Sequence, residues 1–325
     1  MRVLHILPDL AAGGAERLVL AHALDRADVA VATVFGGGDL ESRFAPLGPL
    51  LGERRAGRPS ARAFGQLVAA AKRADVVHTH LFAGNLWGGL AARLARRPHV
   101  AHEHNTDRDE SAHTRAVRRA MAGWPHLTLA VSEAAARHSF ARVVEVVENG
   151  VDLSGFTEPW RGGGGLLAVG RRTPQKGFDV LLNALPAQAK LRVAGVGPFA
   201  PIHPQVEWLG LRDDVPSLLA AADILVVPSR WEGFGLAALE GLAAGTPVVA
   251  SAVDGLANVV GDAGILVPPG DSSALRHAIE LVLANDGLRE DLSSRGRVRS
   301  RRYDQSRTFN QWDAAHRAAG STSPA

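Results

Sequence analysis

The chain contains no cysteine. Disulfide cross-links, zinc–thiolate centres and cysteine nucleophiles are therefore excluded, and the fold has to rest on packing and hydrogen bonding. Aromatic residues make up only 5% of the 325 positions, with one tyrosine, which leaves the core to aliphatic side chains. No apolar stretch approaches the ~18 residues of a membrane-spanning helix. The amino-terminal apolar stretch, residues 2–8, is too short for a signal peptide and has no small-residue cleavage site. With the lack of cysteine, this points to the cytoplasm. A strong charge imbalance is missing too: 36 Lys and Arg oppose 33 Asp and Glu, a net of +3. The high isoelectric point, about 9.9, reflects a basic complement that is nearly all arginine, and nucleic acid is not expected as a partner. The dinucleotide fingerprint G-x-G-x-x-G and a Walker lysine are also absent, which weakens ordinary dinucleotide and NTP readings.

What is present suits a soluble globular chain of two domains, with 46% hydrophobic and 21% charged residues over 325 positions. The halves differ chemically. Residues 1–150 hold 19 Lys and Arg against 15 Asp and Glu and ten of the 13 histidines, whereas the remainder holds 17 against 18.

Short apolar runs at residues 3–7, 29–35, 47–51, 75–80, 98–105, 127–132 and 143–147 predict strands of the first half. A helix with Ser60 as N-cap follows the third, its core face made by Phe64, Leu67, Val68 and Ala71. Its basic flank, Arg54, Arg55, Arg58 and Arg62, is expected to be a solvated face, with weak contact to an anionic membrane surface as the alternative. Ser132 caps the helix that opens with Glu133. The glycines at 162–165 mark the clearest compositional break. The pattern then restarts, with strands at 166–170, 191–195, 206–210, 224–227, 248–250 and 265–267 and helices between them. Asp271 caps a helix over 272–285, an amphipathic helix over 303–318 carries Phe309 and Trp312, and residues 320–325 form a frayed tail. Two successive series of β/α units predict an α/β protein of two doubly wound Rossmann-like domains facing across a cleft.

The most informative stretch is 228–247. The buried strand 224–227 runs into the glycine turn Glu232, Gly233, Phe234, Gly235, and a helix is predicted over 234–244. Strand, glycine turn and helix together present unpaired first-turn amides with the positive dipole end behind them, an anion site. Glu232 lies just before the helix and Glu240 inside it on the same general face. A similar strand, glycine loop and helix opens the chain at Gly13, Gly14 and Glu16. In open α/β sheets ligands gather at the carboxyl ends of strands, where His78, His80, His102 and His104 fall. Imidazole clusters suit zinc. No carboxylate pattern completes a recognised site, however, so no metal is expected, and hydroxyl contacts, chiefly from His104, are preferred.

Four motifs in order give the chain its resemblance to retaining GT-B glycosyltransferases of family 4 (group 1). Glu232 to Glu240 matches the family's E-x7-E. Gly170-Arg171 through Lys176-Gly177 matches G-R-x4-K-G. Gly13, Gly14 and Glu16 match the early glycine loop, and Asn149 to Asp152 with Phe156 match the inter-domain connection. The resemblance implies an amino-terminal domain at 1–152 on the acceptor side and a donor domain at 153–302. A helix at 303–325 would cross back to the first. Arg171 and Lys176 would neutralise the diphosphate of a nucleotide sugar, and Glu240 would accept from the ribose hydroxyls. Glu232, with the backbone of Gly233, Phe234, Gly235 and Leu236, would hold sugar hydroxyls and phosphate. Leu211 would meet the base, Gly13 and Gly14 would approach the phosphate and sugar, and His104 would stand in the active site, with His102 as its alternative. Glu16, His80, His102 and Asn105 are the acceptor-side candidates.

The activity implied is transfer of a sugar, with retention, from a UDP-sugar (GDP-sugar as the alternative) to a hydroxyl of a glycan, lipid-linked sugar or small metabolite. It needs no metal and no cofactor, and the site expected is cytoplasmic or peripheral on the inner membrane surface. A nucleotide-sugar 2-epimerase or a catalytically silent nucleotide-sugar-binding subunit are the alternatives. Arg172 departs from the family's apolar preference.

Overall fold

The computed structural model describes residues 1–55, 58–106 and 110–321, with the side chains of Arg54 and Arg55 outside the described set. The basic flank proposed around those two arginines therefore lies partly outside the described residues. The chain divides into two compact units, residues 1–148 with 309–325, and residues 149–308.

Unit 1 is a six-stranded parallel sheet of β1 (Val3–Leu7), β2 (Val29–Thr33), β3 (Val76–His80), β4 (His99–Glu103), β5 (Leu127–Ala130) and β6 (Val144–Val146), in the order β2-β1-β3-β4-β5-β6. Helices α1 (Gly14–Asp25), α2 (Ala61–Arg73), α3 (Gly89–Ala95), α4 (Ala112–Met121) and α5 (Glu133–Arg137) connect the strands. Alternation along β1 and β3 separates two chemistries. Leu4, Ile6 and Val77 join Ala32, Leu67, Ala71, Ala91 and Ala92 in an aliphatic core, with Phe64 and Val68 packed against it. The opposite face is lined with imidazoles. Ser60 and Ser132 cap α2 and α5 as expected, accepting from Ala63 and Ala135 amides at 3.2 and 3.1 Å.

Unit 2 repeats the plan with β7 (Leu166–Val169), β8 (Leu191–Ala194), β9 (Val206–Gly210), β10 (Ile224–Val227), β11 (Val248–Ser251) and β12 (Ile265–Val267), ordered β9-β8-β7-β10-β11-β12 and parallel throughout. The sheet order reverses at β7/β10, the position where open α/β sheets bind ligands. The flanking helices are α6 (Phe178–Ala184), α7 (Val215–Ala221), α8 (Leu236–Ala244), α9 (Asp254–Val260), α10 (Ser272–Leu283) and α11 (Asp286–Ser300). The last helix, α12 (Gln305–Ser321), passes from unit 2 into unit 1 at Phe309.

Three expectations need correction. Residues 47–51 are not a strand. Pro46 enters a 3₁₀ turn that ends with Gly48 in the left-handed region, leaving only a single bridge from Leu50 to Ala32. The helix expected at 234 begins at Leu236, because Gly235 takes φ +107°, a conformation outside the helix. Gly320 and Ser321 belong to α12, and residues 322–325 of the expected frayed tail lie outside the described residues.

Candidate active site

Two loops of unit 2 leave the carboxyl ends of β7 and β10, the adjacent strands at the point of reversal. The first runs from Gly170 to Gly177 and the second from Pro228 to Gly235. Gly177 has φ +63°, and a Cβ there would lie 2.1 Å from the Pro228 carbonyl oxygen. Only glycine permits that approach, and it locks the loops together. Further bonds follow along the seam. The Arg230 amide donates to the Gln175 carbonyl (2.8 Å), and Gln175 Nε2 donates to the Trp231 carbonyl (3.1 Å). Arg230 forks onto Asp179 at 2.7 and 2.6 Å and also donates to the Pro174 carbonyl. The fork holds the Asp179 carboxyl below its ordinary range.

At the inner end of this seam, Lys176 Nζ meets Glu232 Oε1 at 2.5 Å, and Ser229 Oγ donates to the same oxygen at 2.9 Å. Lys176 is 20% and Glu232 9% exposed by side chain, while Ser229 is fully buried. The structure thus brings two residues with separately expected roles into direct contact. Arg171 lies exposed at the start of the first loop. Behind the second loop, α8 opens with Gly235. No side-chain cap and no acidic residue occupy its first turn, so no side chain of that turn complements its positive end. Gly233 is buried, Leu236 is partly exposed and Glu240 sits half-buried on α8. The Phe234 side chain is buried edge-on to Tyr303, so only its backbone can serve a ligand. Leu211, just past β9, is exposed. Arg172 stacks over Trp208, 5.3 Å from the ring centre, which accounts for the departure at that position.

In unit 1, Gly13 caps α1, Gly14 is its first residue, and Glu16 is buried in its first turn. A Cβ on Gly13 would meet Glu16 Oε2 at 2.1 Å. The carboxylate therefore lies against the helix entrance, in the position from which a glutamate complements the dipole.

The imidazole face is larger than the sequence pattern indicated. His80 and His102 pair in register across β3 and β4, and His5 pairs with His78 across β1 and β3. His22 from α1 and Trp312 and His316 from α12 close over them. Contacts run continuously from His104 Nε2 to His80 Nδ1 (3.0 Å), His80 Nε2 to His5 Nδ1 (2.7 Å), His5 Nε2 to His22 Nδ1 (3.0 Å) and His22 Nε2 to Asp313 Oδ1 (3.4 Å). Burial lowers the pKa of His5, His78, His80 and His102 far below the usual imidazole value, and neighbouring imidazoles add to the effect. His104 and His316 are lowered by burial to about 3. The cluster is neutral at physiological pH. His102 is fully buried, yet both its ring nitrogens lack a hydrogen-bond partner among the described residues, each unmet group costing roughly 1–3 kcal/mol. Leu81, directly after His80, has φ +61°, a strained position for a leucine. Asn105 is partly buried beyond His104.

Among the residues that hold this geometry, Ser229, Arg230, Asp179 and Gln175 carried no signal in the sequence. His22, Asp313 and His316 were equally silent. A histidine in the middle of a buried strand, as His5 is, was the one available hint.

Two α/β units, each a six-stranded parallel sheet with flanking helices, make up the GT-B architecture. In three dimensions the chain is similar to Anabaena HepE solved with UDP-glucose, with a TM-score of 0.84 and 21% identity, covering 98% of this chain and 100% of that one; the likeness concerns the fold. Residues 12–154 match the family described as Glycosyltransferase Family 4, and residues 163–285 that described as Glycosyl transferases group 1. The D-inositol 3-phosphate glycosyltransferase of Xylanimonas cellulosilytica is 31% identical over 379 aligned positions, 96% of this chain and 88% of that protein. The phosphatidyl-myo-inositol mannosyltransferase of Mycobacterium leprae is 36% identical over 187 residues, 52% of this chain. The match spans about half the length of that relative, 49%. The chain belongs to glycosyltransferase family 4, group 1 type.

Proposed function

We propose that the protein is a retaining glycosyltransferase that moves a sugar from a nucleotide-sugar donor, a UDP-sugar first, to an acceptor hydroxyl. Unit 2 binds the donor and unit 1 reads the acceptor. The observation that carries the reading is the stitched pair of loops at the reversal point of unit 2, which sets Lys176 beside Glu232 next to the open end of α8. The diphosphate leaving group gains negative charge as the glycosidic bond breaks. Lys176, Arg171 and the first-turn amides of α8 stabilise that charge without a metal ion. Glu232 orients Lys176 and accepts from a sugar hydroxyl, Glu240 accepts from the ribose, and the main chain at Leu211 meets the base. The acceptor hydroxyl attacks on the face the phosphate leaves, and a phosphate oxygen takes its proton, so no carboxylate nucleophile is required.

UDP as the first donor base is supported by the solved relatives of this fold that carry UDP and UDP-glucose. The relatives named for inositol acceptors make inositol phosphates the first acceptors to test. No described helix is long and apolar enough to cross a membrane. The test is a thermal-shift panel of UDP- and GDP-sugars, followed by transfer to an acceptor panel with NMR assignment of the product anomer. Donor binding with transfer and unchanged anomeric configuration is expected. An inverted anomer would overturn retention, and conversion of the donor to an epimer without any acceptor would overturn transfer.

A further inference from the structure

We propose that His80, His102 and His104 form a binding site for a divalent d-block cation, with zinc as the reference ion. The inference goes beyond the transfer reaction, none of whose steps passes through it.

One ring nitrogen from each of the three imidazoles lies within 4.8 Å of the others. His102 is the residue that demands an explanation. It is fully buried, and neither Nδ1 nor Nε2 has a hydrogen-bond partner among the described residues. A neutral imidazole carries one N–H and one lone pair, and a cation in the cup satisfies the lone pair. His104 is the least buried of the three.

The tautomers can be read from the far end of the chain of contacts. The Asp313 carboxylate only accepts, so His22 donates through Nε2 and accepts at Nδ1. His5 then donates through Nε2 to His22, and His80 donates through Nε2 to His5. This leaves the His80 lone pair on Nδ1, facing His104 Nε2 at 3.0 Å. Two nitrogens on a tetrahedral ion with ~2.05 Å bonds stand ~3.3 Å apart, so this pair needs to open by only a few tenths of an ångström, while His102 closes in from within 4.8 Å. His104 moves its proton from Nε2 to Nδ1, and no proton leaves the site. The chain from His5 through His22 to Asp313 becomes the carboxylate-terminated support that zinc-ligating histidines commonly have. The neighbouring group of His5, His78 and His80 is also compact, but both His5 nitrogens and His80 Nε2 are consumed by that chain. Three neutral imidazoles without a carboxylate or thiolate select zinc, copper, nickel or cobalt over magnesium or calcium.

The test uses the full chain without a histidine tag, stripped with a chelator and then equilibrated with Zn²⁺ or Co²⁺. Elemental analysis after gel filtration is expected to find about one equivalent, and Co²⁺ to show the strong visible absorption of a tetrahedral site. His102→Gln and His104→Gln are each expected to weaken Zn²⁺ binding at least ~100-fold, and Asp313→Asn about 10-fold, the size of an outer-shell effect. Circular dichroism monitors the fold. Should His102→Gln fail to fold, the variant at the less buried position, His104→Gln, carries the comparison. Wild-type protein that retains far less than one equivalent of either ion overturns the proposal, as does undiminished binding in the ligand variants. UDP-sugar binding is recorded on the same samples, so failure of the metal site and failure of the donor site are read separately.

Discussion

Lys176 and Glu232 can be removed singly and together, and the three variants separate a structural clamp from a phosphate-binding site. The pair is close, 2.5 Å, but only partly buried, with 20% and 9% of the two side chains exposed. Taking one partner from a fully buried pair costs about 3–5 kcal/mol, and exposed pairs contribute under about 1 kcal/mol. Lys176→Met should therefore cost about 2 kcal/mol. It leaves the Glu232 carboxylate without its cation and still bonded to Ser229 Oγ. In a unit of 160 residues (149–308), that lowers Tm by about 4–8 °C, so the protein stays folded at 25 °C. Glu232→Gln should cost less, because Lys176 can turn toward solvent. The double variant should regain about 1 kcal/mol relative to the sum of the singles. Turnover should behave differently. Loss of a cation aimed at the leaving group should reduce kcat about 10²–10³-fold, and the double variant should remain at least as impaired as Lys176→Met. Thermal melts and donor-saturated initial rates on the same preparations give both readouts. Activity that recovers in the double variant along with stability would refute the phosphate assignment and leave the pair as a clamp.

Arg171→Ala should lower turnover by orders of magnitude with little change in melting temperature, since the side chain is exposed; retained activity in both Arg171→Ala and Lys176→Ala would remove the phosphate site. Gly177→Ala must hold a left-handed alanine, about 1–2 kcal/mol, and also displace the Pro228 carbonyl 2.1 Å from the new Cβ. A total loss above about 3 kcal/mol, seen as a large fall in Tm, is expected. Asp179 has a carboxyl pKa depressed chiefly by its hydrogen bond from Arg230. Its contribution is therefore present above the unfolded value of about 3.9 and lost as pH falls through the lower folded value. The stability gap between wild type and Asp179→Asn, under about 1 kcal/mol for so exposed a pair and followed by Tm, should close over that acid window, and a gap that widens there would contradict the assignment.

The strands were legible because each is a short apolar run bounded by turn residues, and both sheets follow from two successive β/α series. Boundaries failed where one backbone angle decides them: Gly235 at φ +107° moves the start of α8 to Leu236. The site was legible where spacing along one segment carries it. Period two places His78 beside His80 and His102 beside His104, with ring centres 4.2 Å apart in each pair. It was illegible where segments meet. Arg230 and Asp179 are 51 positions apart and look like ordinary surface charges, yet their fork ties the two loops together. His22, Asp313 and His316 reach the imidazole face from helices, the last two more than 230 positions from His78, and no local pattern announces that.

The two glycine loops that look alike in sequence differ in electrostatics, and the difference carries a further prediction. At α1 the carboxylate of Glu16 lies against the entrance, so close that Gly13 cannot be replaced without moving it. At α8 the first turn contains no acid and Gly235 offers no cap. A dianionic phosphate gains from a helix entrance only where no fixed negative charge already faces it. On the proposed reading, diphosphate binding would therefore fall to unit 2, while the entrance of α1 is complemented by its own Glu16. Glu16→Gln should reduce stability by about 0.5–1 kcal/mol through the lost dipole complement and leave the Kd for UDP within about twofold. Calorimetric titration with UDP checks this. A tenfold loss of UDP affinity in Glu16→Gln, with the fold intact by circular dichroism, would show that α1 shares the phosphate load and that its resemblance to the α8 loop is functional after all.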